Sequence, residues 1–208
     1  MLEIDSLFVS YEGEPAVRDF SLTVCDGQVV CLCGGSGCGK TSILKAVLGF
    51  VDYEGRVRID GREMTERNTH EMRKLMAYVP QEFIMPHETV KEMAESVMEL
   101  AANKGAGFSE ERLMAEWAKL GLDVSLWDRK TSELSGGQRQ RIMISLAGLL
   151  PKRILLIDEP TSALDATSTR LVSQYIRALA QERQMCVLAV THSDVFAGEC
   201  DFKIQLQK

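Results

Sequence analysis

A run of five apolar residues, Val29–Cys33, leads straight into Gly34-Gly35-Ser36-Gly37-Cys38-Gly39-Lys40-Thr41, and an amphipathic segment, Thr41 to Leu48, follows at once. A buried strand, a glycine-rich turn closed by Lys and a hydroxyl, and then a helix form the one context in which this pattern is a mechanism rather than a string match. The glycines let the backbone wrap an anion closely. The successive N–H groups and the helix N-terminus present positive potential to it. Lys40 is placed to reach β and γ phosphates, and Thr41, followed by Ser42, to offer a hydroxyl to Mg²⁺. A plain turn before a helix would explain the glycines but not Lys40-Thr41 beside them.

A second apolar run, Ile154 to Ile157, delivers Asp158 and Glu159 to the end of another buried strand, where ligands gather in open α/β sheets. Two carboxylates before Pro160 are also what a solvated strand-to-turn boundary would carry. With a phosphate loop upstream, Asp158 is placed to hold Mg²⁺ and Glu159 to orient or deprotonate an attacking water.

The rest of the chain fits this frame. Residues 1 to 33 read as a small β-rich sheet, with Ile4, Leu7 and Val9, then Phe20, Leu22 and Val24, then Val29 to Cys33, separated by turns at Gly13 and Asp26-Gly27. A short hairpin around Arg56 to Ile59 resumes it between Gly55 and Asp60-Gly61. From Thr89 the period changes to helical, with Val90, Met93, Ala94, Val97, Met98 and Ala101 on one face, a capping box at Thr89–Glu92 and a stop at Lys104-Gly105-Ala106-Gly107. A second helix after Ser109 carries Leu113, Met114, Trp117 and Leu120. Residues of about 85 to 150 thus form a helical insertion between β-rich halves. A helix over about Thr167 to Glu182 and a strand at Cys186 to Val190 complete a single domain over 1–208.

Between the two carboxylates and the phosphate loop lies Leu134-Ser135-Gly136-Gly137-Gln138. Ser135-x-x-Gln138 is a capping box for a helix bearing Ile142, Leu146 and Leu149. The box does not explain Gly136-Gly137, which weaken a first helical turn unless something must approach the backbone closely. Bare backbone and a Ser hydroxyl at a helix N-terminus suit a γ-phosphate.

The phosphate loop, this segment and Asp158-Glu159, in that order, resemble the ATP-binding cassette (ABC) ATPases over essentially the whole chain. The resemblance implies a P-loop NTPase with a RecA-like core, an N-terminal antiparallel β subdomain and an inserted helical subdomain. It also implies a head-to-tail dimer, in which each ATP lies between the phosphate loop of one subunit and Ser135-Gly136-Gly137-Gln138 of the other. Tyr11 resembles the aromatic that stacks on adenine, although it is equally an ordinary strand aromatic. Gln81, in Val79-Pro80-Gln81, resembles the glutamine that contacts Mg²⁺ and water. Asp165, in Ser162-Ala163-Leu164-Asp165, resembles the loop that crosses the dimer interface. His192 resembles the switch histidine at the γ-phosphate, whereas His70 and His87 match nothing and are expected to be solvated. The helix after Gln138 departs from the family pattern, with Ile144-Ser145-Leu146-Ala147-Gly148 where Ile-Ala-Arg-Ala-Leu is usual.

The resemblance implies an ATPase that drives a separate membrane permease, docked at Phe83-Ile84-Met85-Pro86, residues for which simple packing of the helical part is the commoner role, or alternatively a soluble ABC ATPase of the iron–sulfur assembly type. The ATPase partner is a second copy or a paralogous subunit. Composition bounds the rest. A net charge of −6 with 24 scattered basic residues offers no footprint for nucleic acid. No stretch approaches the roughly 18 to 20 apolar residues of a membrane span, so any membrane role passes through a partner. The acidic start argues against a secretory signal, and the expected location is cytoplasmic, peripheral on the inner membrane face. Little sequence follows His192, so no regulatory extension and no fused transmembrane half is expected. Six cysteines without ligand spacing read as reduced thiols. Cys38, beside helix-start amides and Lys40, is a candidate for oxidative sensitivity, against the commoner fate of simple packing.

Overall fold

The computed structural model describes residues 1–82, 88–103 and 107–207. The loop Phe83-Ile84-Met85-Pro86, His87 and the helix-stop residues Lys104, Gly105 and Ala106 lie outside them.

Two sheets carry the fold. In the first, β1 (Leu2–Tyr11) pairs antiparallel with β2 (Glu14–Val24) through the Glu12-Gly13 turn, and with β4 (Glu54–Ile59), which pairs in turn with the two-residue β5 (Arg62–Glu63). The second is parallel, with strand order β6-β7-β8-β3-β9, from β6 (Met76–Val79), β7 (Ile154–Asp158), β8 (Cys186–Val190), β3 (Val29–Cys33) and β9 (Phe202–Gln205).

The expectation that Val29–Cys33 continues the first sheet is therefore corrected: β3 lies in the second, between β8 and β9. The cause is burial on both faces. All five residues are buried, as in β7 and β8, which is the pattern of a parallel strand covered from two sides. Cys31 and Cys33 face one hydrophobic cluster with Leu155, Ile157, Val187 and Ala189. Val30 and Leu32 face the other with Leu156 and Leu188. The second cluster is closed by the antiparallel sheet and by α1 (Lys40–Val47), whose Ile43, Leu44, Ala46 and Val47 are buried.

The first cluster is closed by helices. α3 (Val90–Glu99) opens with the Thr89–Glu92 capping box, and α4 (Glu110–Lys119) is capped by Ser109. α3 stops at Glu99, ahead of the expected glycine stop, where the Asn103 side chain folds back to donate to the Val97 carbonyl at 2.7 Å. α5 (Gly136–Leu149) opens with the Ser135–Gln138 box, and α6 (Ala166–Arg183) packs beside it. α2 (Thr69–Arg73), β6, α7 (Asp194–Gly198) and β9 fall where no element was expected. Among the described residues no helix is long and apolar enough to cross a membrane.

The departures in α5 form one set. Ser145 accepts a hydrogen bond from Trp117 Nε1 at 3.1 Å, joining α5 to α4. Leu146 is buried in the first cluster. Gly148 leaves room for the Tyr175 ring of α6, since a Cβ there would collide with Tyr175 Oη. An Arg at 146 would put a charge into that core.

Candidate functional site

Four adjacent parallel strands release their functional groups at their carboxyl ends. β3 gives the phosphate loop, β6 leads to Gln81, β7 to Asp158 and Glu159, and β8 to His192. Together with Tyr11 they line one cleft of about 360 Å³, whose further walls include Ser36, Gly37, Gly39, Lys40, Thr41 and Ser42.

The loop has the conformation an anion cradle needs. Gly39 has φ +90°, and a Cβ there would collide with the Ala16 carbonyl, so only glycine fits at the entry to α1. Lys40 is buried, and its Nζ donates to the carbonyls of Gly34 and Gly35 at 2.8 and 2.9 Å, which holds the ammonium over the loop. Cys38 Sγ, 3.7 Å from Lys40 Nζ, packs against Gly34. Gly34 and Gly35 themselves border a neighbouring cleft with His192.

The carboxylates are buried and unequal. Asp158 Oδ2 accepts from Thr41 Oγ1 at 2.9 Å, while Oδ1 is buried with no hydrogen-bond partner among the described residues. Burial pushes the Asp158 carboxyl above its ordinary range, against the opposing pull of Thr41 and Lys40. An orphaned carboxylate oxygen beside a Thr hydroxyl is a hard oxygen donor set, which fits Mg²⁺. Glu159 sits at φ +54°, a left-handed conformation unusual for a residue with a side chain. Its Oε2 accepts from the His192 N–H at 3.2 Å and its Oε1 lies 3.3 Å from His192 Nε2. Burial raises its carboxyl too, with His192 pulling the other way. Tyr11, exposed at the mouth, donates through Oη to Ser42 Oγ at 3.3 Å.

The Ser135–Gln138 segment and Asp165 stand apart from this cleft. Ser135, Gly136, Gly137 and Gln138 form the first turn of α5, where Ser135 Oγ accepts from Gln138 N at 3.1 Å. Gly136 opens instead onto a second cavity of about 520 Å³ with Arg139 and Ser162, which shares Gln81 with the cleft. Part of the glycine requirement here is internal: a Cβ on Gly137 would lie 2.9 Å from both the Ala163 carbonyl and Leu164 Cδ2. Asp165 is exposed and caps α6, accepting from Ser168 N at 2.8 Å. His70 is exposed, as expected.

One buried polar residue near the site was not anticipated. Gln140, one turn into α5, donates through Nε2 to the Glu159 carbonyl and accepts at Oε1 from Ala163 N at 3.4 Å. A glutamine followed by alternate isoleucines, Ile142 and Ile144, on a helix buried in the core was the available signal.

The geometry has known counterparts. The chain is 32% identical over 199 residues to the Fe(3+) ions import ATP-binding protein FbpC 1 of Pectobacterium atrosepticum, covering 94% of this chain and 56% of that one. It is 36% identical over 198 residues to the trehalose import ATP-binding protein SugC of Mycobacterium tuberculosis, covering 93% and 49%. The chain thus spans about half the length of these curated relatives. Its fold matches the dimeric structure of MJ0796, a bacterial ABC transporter cassette, with a TM-score of 0.85 and 26% identity over 99% of this chain and 94% of that one. The same cassette in a post-hydrolysis state bound to ADP and Pi matches with a TM-score of 0.84 and 25% identity, over 100% and 94%. The family model described as ABC transporter matches residues 17–162, and with the cleft above this establishes that the chain belongs to the ABC transporter family.

Proposed function

We propose that this chain is an ATP-hydrolysing nucleotide-binding subunit of an ABC transporter, working as a head-to-tail dimer under a separate membrane permease. The observation that carries this is a division within one chain. The phosphate loop, Asp158, Glu159, Gln81 and His192 share a cleft, while no residue of the Ser135–Gln138 turn lines it and Gly136 lines the adjoining cavity. A second copy, or a paralogous subunit, completes each site by bringing its Ser135 hydroxyl and the backbone of Gly136 and Gly137 to the γ-phosphate.

In this reading the adenine stacks on Tyr11 at the cleft mouth, and the phosphates lie in the cradle of Gly34, Gly35, Ser36, Gly37, Cys38 and Gly39 with Lys40 beside them. Thr41, Asp158 and Gln81 hold Mg²⁺, which neutralises charge on the phosphate oxygens, and Ser42 supports the loop. Glu159 takes a proton from water as the water oxygen bonds to the γ-phosphorus and the bond to the β-phosphate oxygen breaks. Its raised pKa makes it a stronger base than an exposed carboxylate. His192, tied to both Glu159 oxygens, aligns the base with the γ-phosphate. Asp165 lies on the loop that crosses to the partner.

The transporter role, over a soluble assembly-type ATPase, is supported by relatives whose names are those of import ATP-binding proteins. Such a subunit sits on the cytoplasmic face of the membrane through its permease, without inserting itself or binding nucleic acid. Its docking segment is Phe83-Ile84-Met85-Pro86. The test is a pull-down from detergent-solubilised native membranes. The expected result is a polytopic membrane protein that co-purifies and is lost when Phe83 and Met85 are both replaced by Asp. Recovery with soluble partners alone would refute the transporter reading.

A further inference from the structure

Glu159 has a backbone that must be held. Its φ of +54° is strained for an L-residue with a side chain, so the conformation persists only where neighbours over-determine it. Three anchors are present. The Glu159 N–H donates to the Val190 carbonyl of β8 at 2.9 Å, and its carbonyl accepts from Ser162 N and Oγ at 3.4 and 3.3 Å. The third comes from a different element: Gln140 Nε2, on α5, donates to the same carbonyl.

The Gln140 side chain is only 4% exposed, and both ends of its amide are engaged, Nε2 by Glu159 and Oε1 by Ala163 N. Each replacement therefore removes a specific contact. The backbone that Gln140 grips is that of the carboxylate, one peptide from Asp158, and it is gripped from the helix opened by Ser135.

We propose that Gln140 is a positioning residue for ATP hydrolysis: through the Glu159 carbonyl it fixes the left-handed peptide that aims the Glu159 carboxylate into the cleft. The proposal rests on Glu159 being the general base. A carboxylate displaced by an ångström from its water loses on the order of 10²-fold in rate while nucleotide binding, carried by the phosphate loop, is untouched.

The test compares Gln140→Met, which keeps the unbranched length without hydrogen bonds, with Gln140→Glu, which keeps the acceptor for Ala163 N but loses the donor to Glu159. In the intact chain both are measured for kcat and KM with ATP, for ATP affinity in a Glu159→Gln background where turnover is blocked, and for thermal unfolding. The expected result is a kcat at least ~10-fold below the parent in both variants. ATP affinity stays within about two-fold, with a cooperative unfolding transition retained by Gln140→Met, since packing is conserved. A kcat within about two-fold of the parent for Gln140→Met would overturn the proposal, because rigid positioning predicts a larger loss. Loss of ATP affinity in parallel with kcat would also overturn it, by making Gln140 a packing residue. Should Glu159→Gln alone turn over ATP at the parental rate, the general-base reading fails and takes this proposal with it. Turnover lost in Glu159→Gln but kept in Gln140→Met refutes the role of Gln140 alone.

Discussion

Replacing Glu159 by Gln is expected to make the protein more stable while stopping it from working, and the pH dependence separates this from generic stabilisation. The carboxylate is 7% exposed and has one backbone N–H, from His192 at 3.2 Å, and one imidazole at 3.3 Å. A buried carboxylate at ease in a fold collects two or three N–H donors. Under-bonded burial of a charge costs on the order of 1–3 kcal/mol. Gln keeps the shape and the acceptor for His192 N–H without the charge. Because the folded-state pKa of Glu159 is raised, the folded protein binds more protons than the unfolded chain between the ordinary value of 4.5 and the raised one. The destabilisation is therefore absent below 4.5, grows as pH rises through that window, and is complete above the raised value. For a chain of this size ~1 kcal/mol moves Tm by about 2–4 °C, so Glu159→Gln should melt at least ~2 °C above the parent at pH 8. The two should converge as pH falls toward 4.5. Turnover should fall by roughly 10²–10⁴-fold, the range of a lost general base. Scanning calorimetry from pH 4.5 to 8, with phosphate release at pH 8, reads both. An equal Tm gap at every pH, or a variant that melts below the parent at pH 8, would refute the burial argument.

His192→Ala should lower kcat by ~10²-fold with Tm nearly unchanged, because the side chain is 53% exposed and its loss removes alignment rather than packing; steady-state kinetics with a melting curve decide it. Lys40→Ala should abolish ATP binding, measured by equilibrium fluorescence, since the buried ammonium is the loop's one fixed charge on the phosphates. Gly148→Ala should destabilise by about 1–3 kcal/mol by denaturant titration, as its Cβ meets Tyr175 Oη. In a Tyr175→Phe background the loss should shrink by at least about 1 kcal/mol, because removing that buried oxygen frees the space the new Cβ would enter.

What the linear sequence discloses here is what depends on neighbours within one turn or one strand. The two capping boxes, at Thr89–Glu92 and Ser135–Gln138, form as written because both partners lie three residues apart. Asp158 and Glu159 emerge at a strand end because four apolar residues before them have nowhere to go but the core. The sheet to which β3 belongs was not disclosed by an alternating pattern of its neighbours, since one face is covered by α1 and the antiparallel sheet but the other by helices such as α6, more than a hundred residues away. β6 and β9 escaped for the same reason: a four-residue strand gains its identity from its partners, Ile154–Ile157 for one and Val30–Cys33 for the other.

The glycine pair in the Ser135–Gln138 turn shows how a local motif can carry two demands at once. Its bare backbone suits an anion from outside, yet Gly137 is already required by the Ala163 carbonyl and Leu164 of the same chain. A substitution there would thus disturb the chain's own 162–165 loop as well as any contact with a partner's nucleotide. The α5 departures carry the converse lesson. Taken one residue at a time, Leu146 looks like the loss of a polar contact, Ser145 like a hydroxyl added in place of Ala, and Gly148 like a missing leucine. In three dimensions each answers a specific neighbour, Trp117, the apolar cluster and Tyr175, so the helix has exchanged a charged anchor for a hydrogen bond to α4 and a ring from α6. That exchange leaves Gln140, earlier on the same helix, as the polar side chain with which α5 holds the Glu159 carbonyl. The helix that presents the Ser135 turn and the strand end that carries the base are therefore coupled, because a displacement of either stretches the buried hydrogen bond from Gln140 to the Glu159 carbonyl and leaves that carbonyl to Ser162 alone.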